Sequence, residues 1–336
     1  MKKKLLIIFV CLTGLFVWFL YLLTNPVLSQ KVMLFKKNKN TSPNPQTEIP
    51  ALKERLYETV KVLTEIKPAR NSYNIPSLEK AAAYIKKEFE TLGLDTEEQK
   101  YLTPDKNIYK NIIARYGNKT DEIIVIGAHY DVCGDQDGAD DNASAVAGLL
   151  EIARLVAELK PDLKYQLEFV AYSLEEPPYF ATPYMGSAVH AKNLKDEGIE
   201  VKAMICLEMI GYFTDEPKSQ TYPISALKVI YPSVGNFIAV VGNFSQGKLT
   251  RHMKKYMLQG GNIPVYSINA PKMMTGIDFS DHRNYWALGY PAVMINNTSF
   301  YRNKNYHQAT DTIDTLDFDK MTEVVKGVYW AIANFK

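Results

Sequence analysis

The stretch IIVIGAHYDVCGDQDGADDN, residues 123–142, decides the fold class. It opens with a continuous β-branched run at residues 123–126, as expected for a strand covered on both faces of a sheet. His129 and Asp131 come shortly after this run, and an acidic pair at 140–141 follows a glycine-containing loop. Ligands of open α/β sheets bind outside the carboxyl ends of the strands, so these polar residues predict a functional edge.

Short apolar runs and helical segments alternate along the rest of the chain. Further strands are predicted at residues 111–116, 167–174, 203–207, 237–241, 265–268 and 292–295. Helices are predicted at residues 51–66, 77–92, 143–159, 184–194, 248–258 and 318–335. Ser77 is the expected N-cap of the second helix, and Gly93 closes it. This alternation predicts an α/β fold with a mixed, mainly parallel central sheet and helices on both faces.

The N-terminal residues indicate a targeting segment followed by a linker. Lysines at positions 2–4 precede an uncharged run at residues 5–23, which is about long enough to cross the hydrocarbon core of a membrane. We predict a membrane anchor or signal segment at residues 1–29, a polar linker at 30–50 and one folded domain at 51–336. The folded domain is expected outside the cytoplasm, attached to the membrane, or secreted if the segment is cleaved.

Composition narrows the class of protein. The chain of 336 residues has a formal net charge of +2, which gives no support for a nucleic-acid partner, because such a partner needs a concentrated basic face. Its three cysteines exclude a disulfide scaffold and a zinc site built from four thiolates. Cys133 and Cys206 either pair with each other or remain buried free thiols. The oligomeric state cannot be derived from the sequence.

Polar residues follow three further predicted strands. Glu175 and Glu176 come directly after one strand, Glu208 follows the next, and a loop carrying His307 follows the strand at 292–295. Imidazole and carboxylate suit zinc, and two such ions close together can clamp the attacking and departing oxygens of a displacement. A carboxylate that binds no metal must then take the proton from the attacking water.

Several segments carry a resemblance to a known family when they are taken together and in order. The matching segments are His129-Tyr130-Asp131, Gly138-Ala139-Asp140-Asp141-Asn142, Glu175-Glu176 with Gly186-Ser187, Leu207-Glu208-Met209-Ile210-Gly211, Ser280-Asp281-His282, and Tyr306-His307 with Asp311-Thr312. In these segments, which span residues 110–315, the chain resembles the M28 family of zinc peptidases. The resemblance implies that the folded domain at 51–336 has the zinc-exopeptidase fold.

The resemblance also implies a set of metal ligands. His129 and Glu208 would bind one Zn²⁺ ion, Glu176 and His307 would bind a second, and Asp141 would bridge the two. The family more often has aspartate at the position of Glu208, so this chain carries a ligand that is one methylene longer.

Catalytic roles follow from the same resemblance. Glu175 would be the general base for a metal-bridging water, and Tyr306 stands where some members hydrogen-bond the oxyanion. From its spacing, Asp131 is expected to orient the imidazole of His129. Pro177 and Pro178 are expected to shape a substrate wall.

The expected function is that of a zinc exopeptidase with peptide substrates, most simply an aminopeptidase. The alternatives are a glutaminyl-peptide cyclase-like acyltransferase, which uses one zinc on a similar fold, and a non-catalytic receptor-like module. Arg283 and Arg302 are candidate readers of a substrate carboxylate or, alternatively, surface residues. His190 and His252 are expected at the surface or in packing. The sequence settles neither the direction of attack on the peptide nor the side-chain preference.

Overall fold

The computed structural model describes residues 49–335. The predicted anchor or signal segment at residues 1–29, and the linker up to residue 48, therefore lie outside the described part of the chain. Within residues 49–335, none of the helices is both long enough and apolar enough to span a membrane.

The elements alternate much as the sequence pattern predicts. The helices are α1 Lys53–Thr64, α2 Ile75–Thr91, α3 Ala145–Leu159, α4 Gly186–Asp196, α5 Gly247–Gly260, α6 His282–Ala287 and α7 Phe318–Ala333. The strands are β1 Asp95–Leu102, β2 Ile108–Tyr116, β3 Glu122–His129, β4 Gln166–Tyr172, β5 Glu200–Glu208, β6 Ile238–Gly242, β7 Val265–Asn269 and β8 Ala292–Asn296.

One mixed sheet of eight strands in the order β1-β2-β4-β3-β5-β8-β6-β7 forms the centre of the described fold. β3 runs parallel to β4 and β5, and β5 runs parallel to β8, while β2 and β6 join this group antiparallel. The prediction of a mixed, mainly parallel sheet is confirmed. The parallel strands β4, β3, β5 and β8 end at the same edge of the sheet, and this edge is where the polar residues were expected.

The continuous apolar run of β3 is buried on both sides of the sheet. Ile124 and Ile126 belong to the core under α1, α2, α3, α5 and α7, whereas Ile123 and Val125 belong to the core under α4 and α6. All four side chains are at most 2% exposed. Helices therefore cover both faces of the sheet. Every side chain of this run is buried against one layer of helices or the other, which explains why the run is continuously apolar.

Three local expectations differ from the structure. Ser77 is not an N-cap: α2 begins two residues earlier, with a proline in its first turn, and Ser77 is buried inside the helix. Strand β1 was not predicted because its side chains are half-buried or exposed and half of them are charged, as suits the edge of a sheet. The six residues of α6 are too few to give a helical period.

Candidate active site

Strand ends deliver the predicted residues to one place. His129 is the last residue of β3, and Glu208 is the last residue of β5. Glu175 and Glu176 lie just beyond β4, and His307 lies in the loop that follows β8. Because these parallel strands are neighbours in the sheet, residues up to 178 positions apart in the sequence become neighbours in space.

One group of donor atoms gathers around His129. Its Nε2 atom lies 3.4 Å from Asp141 Oδ1 and 3.3 Å from Glu208 Oε2. Zinc bonds of about 2.0–2.2 Å in a tetrahedral arrangement place neighbouring ligand atoms about 3.3–3.5 Å apart. The spacing of these three side chains therefore fits a single ion between them.

A second group gathers around His307. Its Nε2 atom lies 3.2 Å from Asp141 Oδ2 and 3.3 Å from Glu176 Oε2, so each of these two carboxylates is close enough to this imidazole to share a second ion with it. The two oxygens of Asp141 thus face two different imidazoles. Glu176 keeps its other oxygen, Oε1, buried without a hydrogen-bond partner. A buried carboxylate oxygen with no protein donor is what a coordinating cation would satisfy.

The charge balance of the site also favours cations. The carboxylates of Asp141, Glu175, Glu176 and Glu208 are all buried around the two imidazoles. Burial opposes protonation of His307, but the carboxylates of Asp141 and Glu176 outweigh it and raise the pKa of this histidine to about 10. Buried negative charge of this density is normally paired or coordinates metal.

Glu175 lies beside the two ligand groups but farther from His129 than the two carboxylates grouped around that imidazole. Its Oε2 atom lies 4.0 Å from His129 Nε2, beyond the contacts that the other carboxylates make with the imidazoles. Burial is the main cause that raises the pKa of Glu175 well above its usual range. Tyr306 stacks its ring on the imidazole of His307, with ring centroids 3.8 Å apart, and lies beside the same cavity.

Asp131 supports both glutamates as well as the histidine. Its Oδ1 atom lies 3.4 Å from His129 Nδ1, the position expected of a group that orients the imidazole. Its two carboxylate oxygens also accept hydrogen bonds from the backbone N–H groups of Glu175 and Glu176, each at 3.1 Å. Leu174 has a left-handed backbone, with φ of 62°, as the chain turns from β4 toward these two residues.

Asp140 and Asp141 have different partners. Asp140 is surrounded by donors: its Oδ1 accepts from the N–H groups of Gly211 and Tyr212, and its Oδ2 accepts from the side chains of Asn297 and Asn303. Asp140 therefore connects its own loop with the loops after β5 and β8. Its carboxylate is fully engaged there, so Asp141 is the member of the pair that faces the imidazoles.

A second aspartate fixes the backbone of this acidic pair. The two carboxylate oxygens of Asp311 accept hydrogen bonds from the N–H groups of Asp140 and Asp141, at 2.9 and 3.0 Å. The matched motif in the sequence included Asp311 but gave no role for it.

Arg70 is a further supporting residue that the sequence did not indicate. Its buried guanidinium donates to the carbonyl oxygens of Leu63, Tyr130, Asp137 and Gly138. These contacts hold the loop that joins the end of β3 to the acidic pair. No motif surrounds Arg70, so only the folded structure assigns it a role.

An apolar cavity of about 240 Å³ opens beside the donor groups. Its mainly apolar walls include Phe180, Tyr222, Leu227, Tyr231, Phe237 and Met294. Asp141, Glu175, Glu176, Glu208 and His307 line its other end. Pro177 also lines it, in agreement with the expected substrate wall, whereas Pro178 does not. No lysine or arginine among the described residues lines this cavity.

The model of peptidase family M28 matches residues 111–331 of this chain. The chain belongs to this family. M28 membership places it among the peptidases, which are hydrolases of peptide bonds. Its sheet and helices have the fold of a solved zinc-dependent exopeptidase.

Individual relatives agree with this M28 membership. The chain is 45% identical over 300 residues to the uncharacterized protein YfbL of Escherichia coli strain K12, covering 87% of this chain and 91% of YfbL. It is 30% identical over 227 residues to leucine aminopeptidase 1 of Pyrenophora tritici-repentis, covering 63% of this chain and about half of that enzyme, 52%. The crystal structure of LapB from Legionella pneumophila superposes with a TM-score of 0.66 at 25% identity, covering 84% of this chain and 72% of LapB.

The remaining M28-like segment, Ser280-Asp281-His282, lies beneath the site. The hydroxyl of Ser280 donates to Glu208 Oε2 at 2.6 Å. Asp281 is fully buried, and both of its oxygens lack a hydrogen-bond partner. Burial raises the pKa of Asp281 to about 7. His282 is also buried and contacts the carbonyl oxygen of Ile277 through Nε2, outside both donor groups.

Neither candidate carboxylate reader reaches the cavity. Arg302 is buried and donates to Gln220 Oε1 and to the carbonyl oxygen of Phe237, so the expectation of a surface residue is wrong for it. Arg283 is half-buried, with its guanidinium over the ring of Phe180.

The other two histidines have packing roles, as expected. His190 is buried, with Nδ1 2.6 Å from the hydroxyl of Tyr285, and His252 contacts the carbonyl oxygen of Ala331. Cys133 and Cys206 are both free thiols; Cys206 is buried and Cys133 is half-buried. The pairing of these two cysteines is therefore not found.

Proposed function

We propose that this M28 chain is a two-zinc aminopeptidase that removes residues with large apolar side chains from the amino terminus of peptides. The observation that carries the proposal is the position of Asp141, whose two oxygens face the imidazoles of His129 and His307. A carboxylate between two imidazoles, with one further carboxylate beside each, supports a bridged pair of cations.

The donor set suits zinc. His129, Asp141 and Glu208 would hold one ion, and Asp141, Glu176 and His307 would hold the other. When bound, zinc would polarise the substrate carbonyl and lower the pKa of an attacking water.

Glu175 is the side chain we assign to proton transfer. It is buried in the same cavity but lies outside both donor groups, which leaves its carboxylate free to accept a proton from the attacking water and to return it to the leaving amine. Asp131 holds the backbone N–H of Glu175 and so limits the orientation of this base. Tyr306 lies at the same cavity and is the candidate donor to the developing oxyanion.

The charge of the cavity supports attack from the amino end of the peptide. A substrate with a free carboxylate needs a cationic reader, and Arg283 and Arg302 are both engaged elsewhere. The two zinc ions would offset most of the carboxylate charge at the cavity end, and Glu175, which is assigned to neither ion, is the acidic group left to face a protonated amino group. Beyond this end of the cavity, the apolar walls would bury the side chain of the terminal residue.

Matched substrates test the proposal. The full-length chain, loaded with zinc, should hydrolyse leucine and phenylalanine amides with a free amino group, and chelation should abolish the activity until zinc is restored. The N-acetylated forms of the same amides should be inert. Equal cleavage of free and acetylated substrates would overturn the direction, and no cleavage by the zinc-loaded chain would overturn the peptidase assignment.

Glutaminyl cyclisation is distinguished by the metal content. The cyclase alternative uses a single zinc, whereas the two groups of donors around His129 and His307 support two ions per chain. Two equivalents of bound zinc, with hydrolysis and without cyclisation of glutaminyl peptides, is the expected result.

The cellular location is proposed from the sequence of residues 1–29 alone. An uncleaved or cleaved export segment would place the catalytic domain outside the cytoplasm, where peptides are its expected partners. Protease treatment of intact cells should degrade the membrane-attached chain, and full protection of the chain would contradict this location.

A further inference from the structure

Cys133 lies next to the half of the site that contains His307. Its Sγ atom and donor atoms of Glu176 and His307 all lie within 4.8 Å of one another. The cysteine is half-buried in the loop between β3 and the acidic pair, and it is a free thiol. The ligand set implied by the M28 resemblance does not include it.

The unpartnered oxygen of Glu176, described above, also points to a ligand at this position. The side chain of Glu176 is 4% exposed, and its Oε1 atom has no hydrogen-bond partner among the described residues. A carboxylate oxygen in this state points to a cation that the protein donors around it would share.

We propose that Cys133 binds the second metal ion as a thiolate, which gives that position four protein donors: Cys133, Asp141, Glu176 and His307. The inference rests on the proposed two-zinc site. When the ion binds, the thiol loses its proton to solvent and a metal–sulfur bond forms.

The distances among Cys133, Glu176 and His307 allow this coordination with a small adjustment. Zinc–sulfur bonds of about 2.3 Å and zinc–nitrogen bonds of about 2.0–2.1 Å place sulfur and nitrogen about 3.6 Å apart in a tetrahedron. A separation of at most 4.8 Å therefore requires a movement of about 1 Å. A half-buried side chain in a loop can move this far by a small rotation about χ1.

A sulfur ligand at this position would favour zinc over magnesium and manganese. Thiolate favours zinc and other soft or borderline ions over magnesium or manganese, which prefer oxygen. The second position is therefore expected to keep zinc in the presence of excess magnesium or manganese. A fourth protein donor also makes this position resemble a closed zinc site more than the position beside His129 does.

Cobalt substitution can detect a metal–sulfur bond directly by absorption spectroscopy. The full-length chain loaded with two equivalents of Co²⁺ should show a thiolate-to-cobalt charge-transfer band in the near ultraviolet. Cys133→Ser should lose the band and bind one of two zinc equivalents at least about tenfold more weakly in competition with a chelator. Cys206→Ala is the matched control and should keep the band.

Alkylation gives a second measurement with zinc itself. At alkaline pH, where more of the thiol is ionised, iodoacetamide should label Cys133 in the metal-free chain, and zinc should suppress the labelling, as read by peptide mass spectrometry. A cobalt-loaded chain without the band, or Cys133 labelled equally with and without zinc, would overturn the proposal. If such a chain still binds two zinc ions and cleaves peptides, only the thiolate inference fails; if it binds no metal, the proposed function fails as well.

Discussion

The hydroxyl of Ser280 donates a hydrogen bond to the Oε2 atom of Glu208 at 2.6 Å, and both side chains are buried. The same oxygen lies 3.3 Å from His129 Nε2. Glutamate has one methylene more than aspartate, so the carboxylate of Glu208 has an additional torsion to fix. Ser280 supplies the contact that fixes it.

Ser280→Ala is therefore expected to loosen the metal position beside His129. Loss of a hydrogen bond to a metal-binding side chain typically lowers metal affinity by about 10–100-fold. We expect the affinity for one of the two zinc ions to fall by this amount. Titration of the metal-free chain against a chromophoric chelator measures it. Ser245→Ala, at an exposed loop serine, is the control. Wild-type affinity for both zinc ions in Ser280→Ala would show that Ser280 does not position Glu208.

Glu175→Gln separates proton transfer from metal binding. Glutamine keeps the shape of the side chain but cannot accept the proton, so kcat should fall about 10²–10⁴-fold. The zinc content and the thermal unfolding midpoint should stay at wild-type values, because Glu175 lies outside both donor groups. Glu216→Gln, at an exposed position, should leave kcat unchanged. Wild-type turnover by Glu175→Gln would remove this residue from the mechanism.

The residues at the strand ends were predictable because the pattern that indicates them, an apolar run followed by polar residues, lies within a few positions of the sequence. A buried parallel strand requires a continuous apolar run, and the first polar residues after it must lie at the carboxyl edge of the sheet. His129, Glu175 and Glu208 were found in this way. His307 lies in the loop after β8; the strand pattern indicated this loop, and the family resemblance assigned the residue a role as a ligand.

The supporting contacts were not predictable because they join distant segments. Arg70 binds carbonyl groups of a loop about 60–70 residues away, and Asp311 binds N–H groups 170 and 171 residues away. Neither has a spacing that a sequence pattern could reveal. The backbone of His307, with φ of 56°, is another feature that only the folded chain imposes.

Arg70→Met is expected to destabilise the whole domain. Methionine keeps the apolar stem of the side chain but leaves several buried carbonyl oxygens without a donor, each at a cost of about 1–3 kcal/mol. The free energy of unfolding should fall by about 3–5 kcal/mol, measured by urea denaturation with chelator present so that metal binding does not contribute. Arg251→Met, at an exposed position, should change it by less than about 0.5 kcal/mol. Equal stability of the two variants would show that the loop holds without Arg70.

Ala239→Leu tests whether the apolar cavity accepts the side chain of the terminal residue. Ala239 lies on β6, and its side chain shares a buried cluster with Phe237 and Met294 at the cavity wall. The larger side chain should narrow the cavity, so kcat/KM for leucine and phenylalanine amides should fall at least about tenfold, while alanine amide keeps most of its rate. Ala287→Leu, an exposed change on α6, should leave the ratio of the two rates as in wild type. Wild-type rates on all three substrates in Ala239→Leu would show that the side chain of the terminal residue does not occupy this cavity.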